Sequence, residues 1–173
     1  MKRIIAAVLI FMLATALCSC GLLFRIGSQR TEIGEKDDAP VMTVNGETFK
    51  LESESSHGAL HYKHNYENMN HDTSGSFCNV VGFQNGDVIF AVRLVYFTGK
   101  SINEVMSGSD YTLSKKTVNG LEYTYFEYND NGMPGHTYAY NFDGTTYTIS
   151  FASQYDMTSL EEVFLQNVSF SAE

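Results

Sequence analysis

The histidines are the residues of this sequence whose spacing could form a functional site. Four of the five fall within residues 57–71, namely His57, His61, His64 and His71. Imidazole is a common ligand of Zn²⁺ and Cu²⁺, and it binds a metal only when it is unprotonated. On a helix the four side chains would share one face, at spacings of i, i+4, i+7 and i+14, and Glu67 or Met69 could join them. One interpretation is therefore a zinc or copper site that loads at neutral pH.

Other interpretations of the same segment place no metal there. The segment contains four poor helix formers, Gly58, Asn65, Asn68 and Asn70. On a strand, one face would carry Leu60, Tyr62, His64 and Tyr66, and the opposite face would carry His61, which separates the ligands. The simplest interpretation is a polar loop or an edge strand with solvated histidines, and metal binding is the alternative.

Nothing else in the sequence has the spacing of a catalytic motif. A serine nucleophile elbow, a phosphate-binding loop, a dinucleotide fingerprint, a His-Glu-x-x-His pattern and a cysteine pair are all missing. We therefore assign no catalytic residue and no cofactor-binding residue, and we expect the protein not to be an enzyme. A hydrolase without these motifs would need a compact pocket that joins His136 or His71 to a carboxylate.

Two weaker patterns have ordinary structural explanations. Glu127, Asn129, Asn131 and Gly132 resemble the start of a calcium loop, but Tyr138 stands where the bidentate acid belongs, so we expect a hairpin connection. Eleven tyrosines and twelve phenylalanines could line a saccharide or peptide groove. Because most of them alternate along strands, we predict that they form the core.

The N-terminus has the layout of a secretory signal, in which Lys2 and Arg3 precede a long apolar run. The residues that follow, Leu17-Cys18-Ser19-Cys20-Gly21, resemble the bacterial lipobox, with an aliphatic residue three positions before a cysteine and a small residue just before it. The resemblance implies that residues 1–20 direct export and that acyl chains such as palmitate attach through the thiol of Cys20. Cys18 does not fit, because the bulky Leu17 would stand immediately before the cleavage point.

Two alternatives to a lipoprotein stay open. Residues 4–24 contain no charge and are long enough to cross a bilayer core as an uncleaved anchor. Ordinary cleavage without lipid would instead release the domain. The lipoprotein and the anchor both predict a location at the extracytoplasmic face of a bacterial membrane.

The net charge limits the possible binding partners, and the cysteine content limits the possible disulfides. The formal net charge is −9, and losing Lys2 and Arg3 with the signal lowers it to −11. A chain with this negative charge is unsuited to binding nucleic acid, and anionic lipid surfaces repel it. With Cys18 cleaved off and Cys20 acylated, Cys78 is a single thiol that cannot form an internal disulfide, and we predict that it is buried.

The sequence divides into three parts. We assign residues 1–20 to a lipoprotein signal peptide, 21–40 to a flexible tether and 41–173 to a single domain. Residues 25–40 are polar, and as a flexible chain they would reach roughly 20–25 Å from the membrane. We expect a monomer that is held to the membrane by the lipid on Cys20.

Turn signals dominate the domain. Asn-Gly pairs at 45–46, 85–86 and 119–120, an Asp-Gly pair at 143–144 and the longer stretch 129–132 predict β-hairpins. Residues 137–142 and 145–151 alternate with a period of two, as strands do. Residues 88–97 are nearly all apolar, which predicts a central strand covered on both faces.

Two helices are predicted from capping boxes, in which a hydroxyl residue is followed three positions later by Glu. Ser101 and Glu104 open a short helix, and Thr158 and Glu161 open a C-terminal one. The C-terminal helix would pack on the sheet through Leu160, Val163, Phe164 and Val168. With a short final strand at 169–170, the predicted fold class is α+β: a mostly antiparallel β-sheet built from hairpins, packed by one C-terminal helix and a short helix.

Three stretches together, 119–123, 147–151 and 164–170, resemble the C-terminal half of the PsbP/Mog1-like fold, and small bacterial lipoproteins carry similar patterns. The resemblance covers about residues 88–170. It implies an antiparallel sheet flanked by helices and a non-catalytic role as an assembly factor or binding protein, with an envelope protein or a glycan as partner. It carries over no functional residue.

Overall fold

The structure is a computed structural model that describes residues 31–36, 39–44, 46–51, 53–65, 68–130 and 133–172. Within them the chain forms thirteen strands and two helices. The strands are β1 (Thr31–Lys36), β2 (Ala39–Val44), β3 (Glu47–Lys50), β4 (Ser53–His57), β5 (Leu60–His64), β6 (Met69–Ser74), β7 (Phe77–Gln84), β8 (Asp87–Thr98), β9 (Ser114–Val118), β10 (Leu121–Asp130), β11 (Met133–Phe142), β12 (Thr145–Ser153) and β13 (Ser169–Phe170). The helices are α1 (Ile102–Met106) and α2 (Thr158–Gln166).

The strands form one large sheet and two small ones. The large sheet has seven strands in the order β6-β7-β8-β12-β11-β10-β9, and its neighbours pair antiparallel. The small sheets have the orders β1-β2-β3 and β13-β5-β4. The predicted α+β fold class, mostly antiparallel and built from hairpins, is confirmed.

The two faces of the large sheet differ in character. One face, the core face, carries Val92, Leu94, Tyr138, Ile149 and Phe151, which join the hydrophobic core together with α2 and the β13-β5-β4 sheet. The opposite face, the outer face, carries Ala91, Arg93, Val95, Thr137, Ala139, Thr148 and Ser150. None of these seven belongs to the core cluster of the described residues. Among the described elements, α1 and the segment 107–113 lie against one end of the outer face.

The hairpin predictions hold at the backbone level. Asn85, Asn119 and Asp143 have φ angles of 52°, 49° and 46°, and the glycine after each also has a positive φ. Two successive residues with positive φ are what a two-residue type I′ turn requires. The turn at 45–46 joins β2 to β3, although Asn45 lies outside the described residues, as do residues 131–132 between β10 and β11.

The central strand and the helix packing are also confirmed. Strand β8 lies between β7 and β12, and its residues 89–95 are all buried. The four residues predicted to pack on the sheet, Leu160, Val163, Phe164 and Val168, are at most 3% exposed, although Val168 lies just beyond the end of α2 at Gln166.

The two helix starts differ. Ser101 and Glu104 form the predicted capping box of α1. The capping box predicted at Thr158 is wrong, because α2 begins one residue earlier, with Met157 as N-cap and no side-chain cap bond. The carboxylate of Asp156 accepts the Thr158 N–H instead, at 3.0 Å. That leaves Glu161 available to turn into the sheet.

The predictions for the N-terminal residues fall only partly within the described part of the chain. The signal peptide, Cys20 and the anchor alternative lie outside the described residues. Residues 31–36 and 39–40, which the sequence assigned to the tether, are paired as strands β1 and β2. The single apolar residue of β1, Ile33, gives no hydrophobic period, so this strand is visible only through its backbone pairing. No helix of the described residues is both long and apolar enough to span a membrane.

Candidate functional site

The described residues between 57 and 71 belong to β4, β5 and β6 and to the turns beside them, so the helical interpretation of this segment is wrong. Gly58, with a φ of 60°, makes the tight turn between β4 and β5. In β5, Leu60, Tyr62 and His64 are buried whereas His61 is partly exposed, which confirms the strand interpretation. Tyr66 and Glu67 lie outside the described residues.

Two of the four predicted metal ligands come together. The rings of His64 and His71 stack with centroids 4.9 Å apart and planes 19° apart. The Tyr62 hydroxyl bonds Nε2 of His71, and Nε2 of His64 lies 2.6 Å from the Ser55 hydroxyl. We call Tyr62, His64 and His71 the histidine cluster.

Burial keeps the cluster uncharged. Desolvation, and then the neighbouring His71, lower the pKa of His64 to about 4. Desolvation also lowers the pKa of His71, although the adjacent Asp72 opposes the shift. Two imidazoles in contact cannot both hold a proton at low cost, so both are neutral at neutral pH.

The other two predicted ligands lie elsewhere. Nε2 of His57 is 2.9 Å from the carbonyl oxygen of Ser76, and its ring contacts Tyr96. His61 lies at the opposite face of β5 from His64, with Nε2 2.9 Å from the Ser171 hydroxyl. Within the described part of the chain, no three His, Cys, Asp or Glu side chains are arranged to hold one metal ion. The predicted four-histidine set is therefore not brought together, because the period of two along a strand separates His61 from His64.

Cys78 is buried and forms no disulfide with the described residues, as predicted. Its Sγ lies 3.0 Å from the Tyr62 hydroxyl, which places it at the base of the histidine cluster. Desolvation raises the pKa of the Cys78 thiol. A thiol that resists ionisation is a poor nucleophile, so this arrangement favours a structural role for Cys78.

A second polar cluster joins α2 to the sheet. The buried carboxylate of Glu161, which is 4% exposed, bonds Nδ1 of His136 and accepts the hydroxyl of Tyr138 at 2.5 Å. Burial, and then the Glu161 carboxylate, raise the pKa of Tyr138. A His–carboxylate pair is the feature that a hidden hydrolase would need, but none of its three members lines either of the two clefts described below. Both carboxylate oxygens are already engaged within the protein, as in a structural link.

The calcium-like pattern falls in a hairpin. The Glu127 carboxylate accepts the Tyr125 hydroxyl at 2.8 Å, and Tyr138 is engaged with Glu161. Strands β10 and β11 pair up to Asp130 and Met133, which confirms the hairpin connection.

Two surface clefts are lined by described residues. The one of about 670 Å³ lies between α1 and the outer face of the large sheet, and we call it the α1 cleft. Its lining includes Lys100, Lys115, Asn103, Thr124 and Asn141, and none of the described residues that line it is acidic. The smaller, about 410 Å³, lies along the β13-β5-β4 sheet beside His61 and Ser171. The size and mixed polarity of the α1 cleft suit a small ligand or a protruding segment of a partner.

Most aromatic residues form the core, as predicted, through ring contacts such as Tyr138 with Phe151 and Phe151 with Phe164. Tyr111 is an exception, since it is 37% exposed and stacks on Phe126 at the outer face with centroids 4.6 Å apart. The nearby Leu113, which lines the α1 cleft, is 42% exposed. The segment 107–113 thus places exposed apolar side chains beside the α1 cleft.

Comparison with known proteins shows similarity at the level of fold. No protein-family model matches the chain, and no curated protein matches it. A crystal structure of a protein from Bacteroides thetaiotaomicron VPI-5482 superposes with a TM-score of 0.50 at 12% sequence identity. The match covers 66% of this chain and 46% of that one, so the chain spans less than half the length of this structural neighbour.

Proposed function

We propose that this chain is an extracytoplasmic bacterial lipoprotein whose α+β domain binds another envelope component without catalysis. The lipobox-like residues 17–21 support the anchor, and Cys20 is the lipid attachment site in this proposal. The PsbP/Mog1-like resemblance supports a binding or assembly role. The partner is an envelope protein or a glycan.

The observation that carries the binding role is the α1 cleft on the outer face. The core face is occupied by α2 and the β13-β5-β4 sheet, whereas the α1 cleft opens at the end of the outer face where α1 and the segment 107–113 lie. The cleft at that end combines side-chain amides, hydroxyls and two lysines with the exposed Leu113. A small number of polar groups that point into one cleft, next to apolar surface, is typical of a recognition site.

Lipidation is tested by intact-mass analysis and by labelling with a palmitate analogue in a bacterial host. We expect the wild-type chain and a Cys18→Ala variant to be labelled, and a Cys20→Ala variant to be unlabelled. The two variants differ only in which cysteine of the same short motif is removed. A mature product that begins at Met1, or one trimmed but free of acyl groups, would overturn the anchor proposal.

Binding is tested by crosslinking on intact envelopes with two matched arginine variants. Asn103→Arg places a bulky cation in the α1 cleft, and Glu162→Arg places one on the exposed side of α2. We expect a defined crosslinked partner with the wild type and with Glu162→Arg, and its loss with Asn103→Arg. The same partner captured equally by both variants would remove the α1 cleft from the proposal.

A further inference from the structure

Strand β9 forms one edge of the large sheet, and its backbone is open on one side. It stands last in the strand order, and β10 is its one partner among the described strands. Its residues 114–117 are all exposed, so no described element covers this edge. An edge strand of this kind presents unpaired backbone N–H and C=O groups that a further strand can bond.

The register of the β9–β10 hairpin shows which backbone groups are open. A two-residue type I′ turn is closed by a hydrogen-bonded pair, here Val118 and Leu121, and such pairs then alternate along an antiparallel ladder. Thr117 and Lys115 belong to the pairs in between, whose N–H and C=O groups point away from the partner strand. The side chains of such a pair lie close together, and Nζ of Lys115 is 3.2 Å from Oγ1 of Thr124 opposite. The backbone groups of residues 115 and 117 therefore face the open edge.

The side chains beside this edge are basic and apolar. Lys115 and Lys116 stand on opposite faces of β9, because neighbouring residues of a strand alternate, and Lys100 lies in the lining of the adjacent α1 cleft. Nζ of Lys115 is 3.2 Å from the Glu122 carboxylate, but both side chains are more than half exposed, so water screens this pair. Leu113, directly before β9, is 42% exposed. The edge therefore offers positive charge on both faces of the strand and an apolar side chain at one end.

We propose that β9 binds an extended acidic segment of a partner protein as an additional antiparallel strand of the large sheet. Backbone hydrogen bonds at residues 115 and 117 would hold the segment, and side chains of alternating direction would select it. Acidic residues fit opposite Lys116 and Lys115, and an apolar residue fits opposite Leu113. Because antiparallel chains run in opposite directions, the expected pattern in the partner is two adjacent acids, any residue, and then an apolar residue. This inference rests on the proposed binding function and names the class of partner.

Charge argues for this partner over a second copy of the same chain. Pairing β9 with β9 of another copy would bring the lysines of the two strands together, and like charges across a strand pair are destabilising. The formal net charge of −9 repels an acidic segment from most of the surface, so such a segment is retained where cations face it. The lysines of β9 thus oppose self-association and favour an acidic strand.

The test uses the purified protein and a capped hexapeptide that has glutamate at its second and third positions, leucine at its fifth and threonine elsewhere. One control peptide has lysines in place of the glutamates. The other carries N-methyl groups on its first and third backbone amides, which removes the N–H groups that would bond residues 117 and 115. Binding is followed by NMR hydrogen exchange. With the acidic peptide alone, we expect slower exchange of the backbone N–H groups of Lys115 and Thr117, and an affinity that falls as salt is added.

Two pairs of matched variants separate strand pairing from simple attraction to lysines. Thr117→Pro removes an N–H that faces the open edge and leaves the bonds to β10, so we expect the peptide to be lost. Ser56→Pro makes the same change at an exposed position of the edge strand β4 and should bind the peptide like the wild type. Lys115→Glu should weaken binding by about three- to tenfold. Lys63→Glu, which removes a strand lysine 3.4 Å from the Glu54 carboxylate, should leave binding unchanged.

Several results would refute the β9 proposal. They are equal binding of the N-methylated or the lysine peptide, unchanged binding by Thr117→Pro, and protection of amides away from β9. The N-methylated peptide tests the same bonds on the wild-type protein, so the outcome does not depend on how well a proline variant folds. In the envelope crosslinking experiment, a partner that Thr117→Pro captures like the wild type and Asn103→Arg loses would remove β9 and leave the α1 cleft proposal intact. Absence of any partner with the wild type would count against the proposed function, whereas the peptides judge the edge separately.

Discussion

Replacing His64 with Gln should reduce the decrease in the free energy of unfolding that occurs when the pH falls from 7.5 to 5. His64 is fully buried in β5, and its pKa is lowered to about 4 by desolvation and by His71. In the unfolded chain the same imidazole titrates near 6.5. Below that value the unfolded state binds a proton that the folded state does not, so the stability due to a neutral His64 is complete above about pH 6.5 and declines as the pH falls towards 4.

The size of the effect follows from the pKa difference. Each pKa unit corresponds to about 1.4 kcal/mol, and at pH 5 linkage gives a loss of about 2 kcal/mol relative to pH 7.5. Because the neighbouring ring of His71 is partly exposed, solvent screens part of this charge. We therefore expect His64 to account for about 1–2 kcal/mol of the loss.

The assay is urea unfolding at pH 7.5 and pH 5, followed by far-UV circular dichroism. The difference in unfolding free energy between the two pH values should be smaller for His64→Gln than for the wild type by that amount. Gln retains a polar group for the Ser55 hydroxyl. His61→Gln, on the opposite face of β5, controls for the loss of a histidine and should keep the His64-dependent loss. An unchanged pH difference in His64→Gln would refute the assignment of a buried, neutral imidazole.

Three further changes test the core, a close contact and the α2 link by urea unfolding, and a fourth measurement tests the metal alternative. Leu160→Ala, at a 1% exposed position, should cost about 2–5 kcal/mol. Gly82→Ala should cost about 1–3 kcal/mol, because the new Cβ would lie 2.2 Å from the Phe90 ring. Glu161→Gln removes the charge that both His136 and Tyr138 contact, and it should cost about 1.5–3 kcal/mol. Calorimetric titration with Zn²⁺ or Cu²⁺ should show no binding tighter than about millimolar, because Nε2 of His71 is bonded to Tyr62, Nε2 of His64 is 2.6 Å from the Ser55 hydroxyl, and His57 and His61 lie elsewhere.

Each of these has a contrary result. A Leu160→Ala loss within experimental error would mean that α2 does not pack as described. Gly82→Ala with wild-type stability would show that the Phe90 ring can move aside, and an unchanged stability of Glu161→Gln would mean that the carboxylate contributes no more to folding than a neutral amide. Micromolar zinc binding that disappears when His64 and His71 are both replaced would restore the metal alternative.

Local signals in the sequence predicted the local parts of the fold. Asn-Gly and Asp-Gly pairs specify type I′ turns through their own φ preferences, so three hairpins were predictable from four residues each. The capping box of α1 is equally local. By contrast, β1 is held by pairing with β2 rather than by a hydrophobic period, and the segment 57–71 turns at Gly58 without an Asn or Asp before it. These elements depend on partners that the pattern does not reveal.

The site residues were harder to predict because each depends on contacts made across the sheet. Glu161 lies four residues before Leu165 on the buried stripe of α2, a position where an acid signals a buried partner, but that partner is His136 on a distant strand. Arg93 is likewise the single charged residue within the apolar run 88–97. The run predicted a buried strand, but it did not predict which groups would contact the arginine. In both cases the informative signal was one ionisable residue in an apolar pattern.

The order of strands in the large sheet shows which pairing joins distant parts of the chain. Neighbours in the sheet are also neighbours in the chain at every step except the pairing of β8 with β12, which joins residues such as Leu94 and Ile149. Nearby segments find each other quickly, whereas joining distant ones carries the entropy of closing a long loop. We therefore expect a folding chain to make two separate meanders first, β6–β8 and β9–β12. Leu94 and Ile149 stand on opposite sides of the seam between them, so the hydrophobic core is complete only when the two meanders have joined.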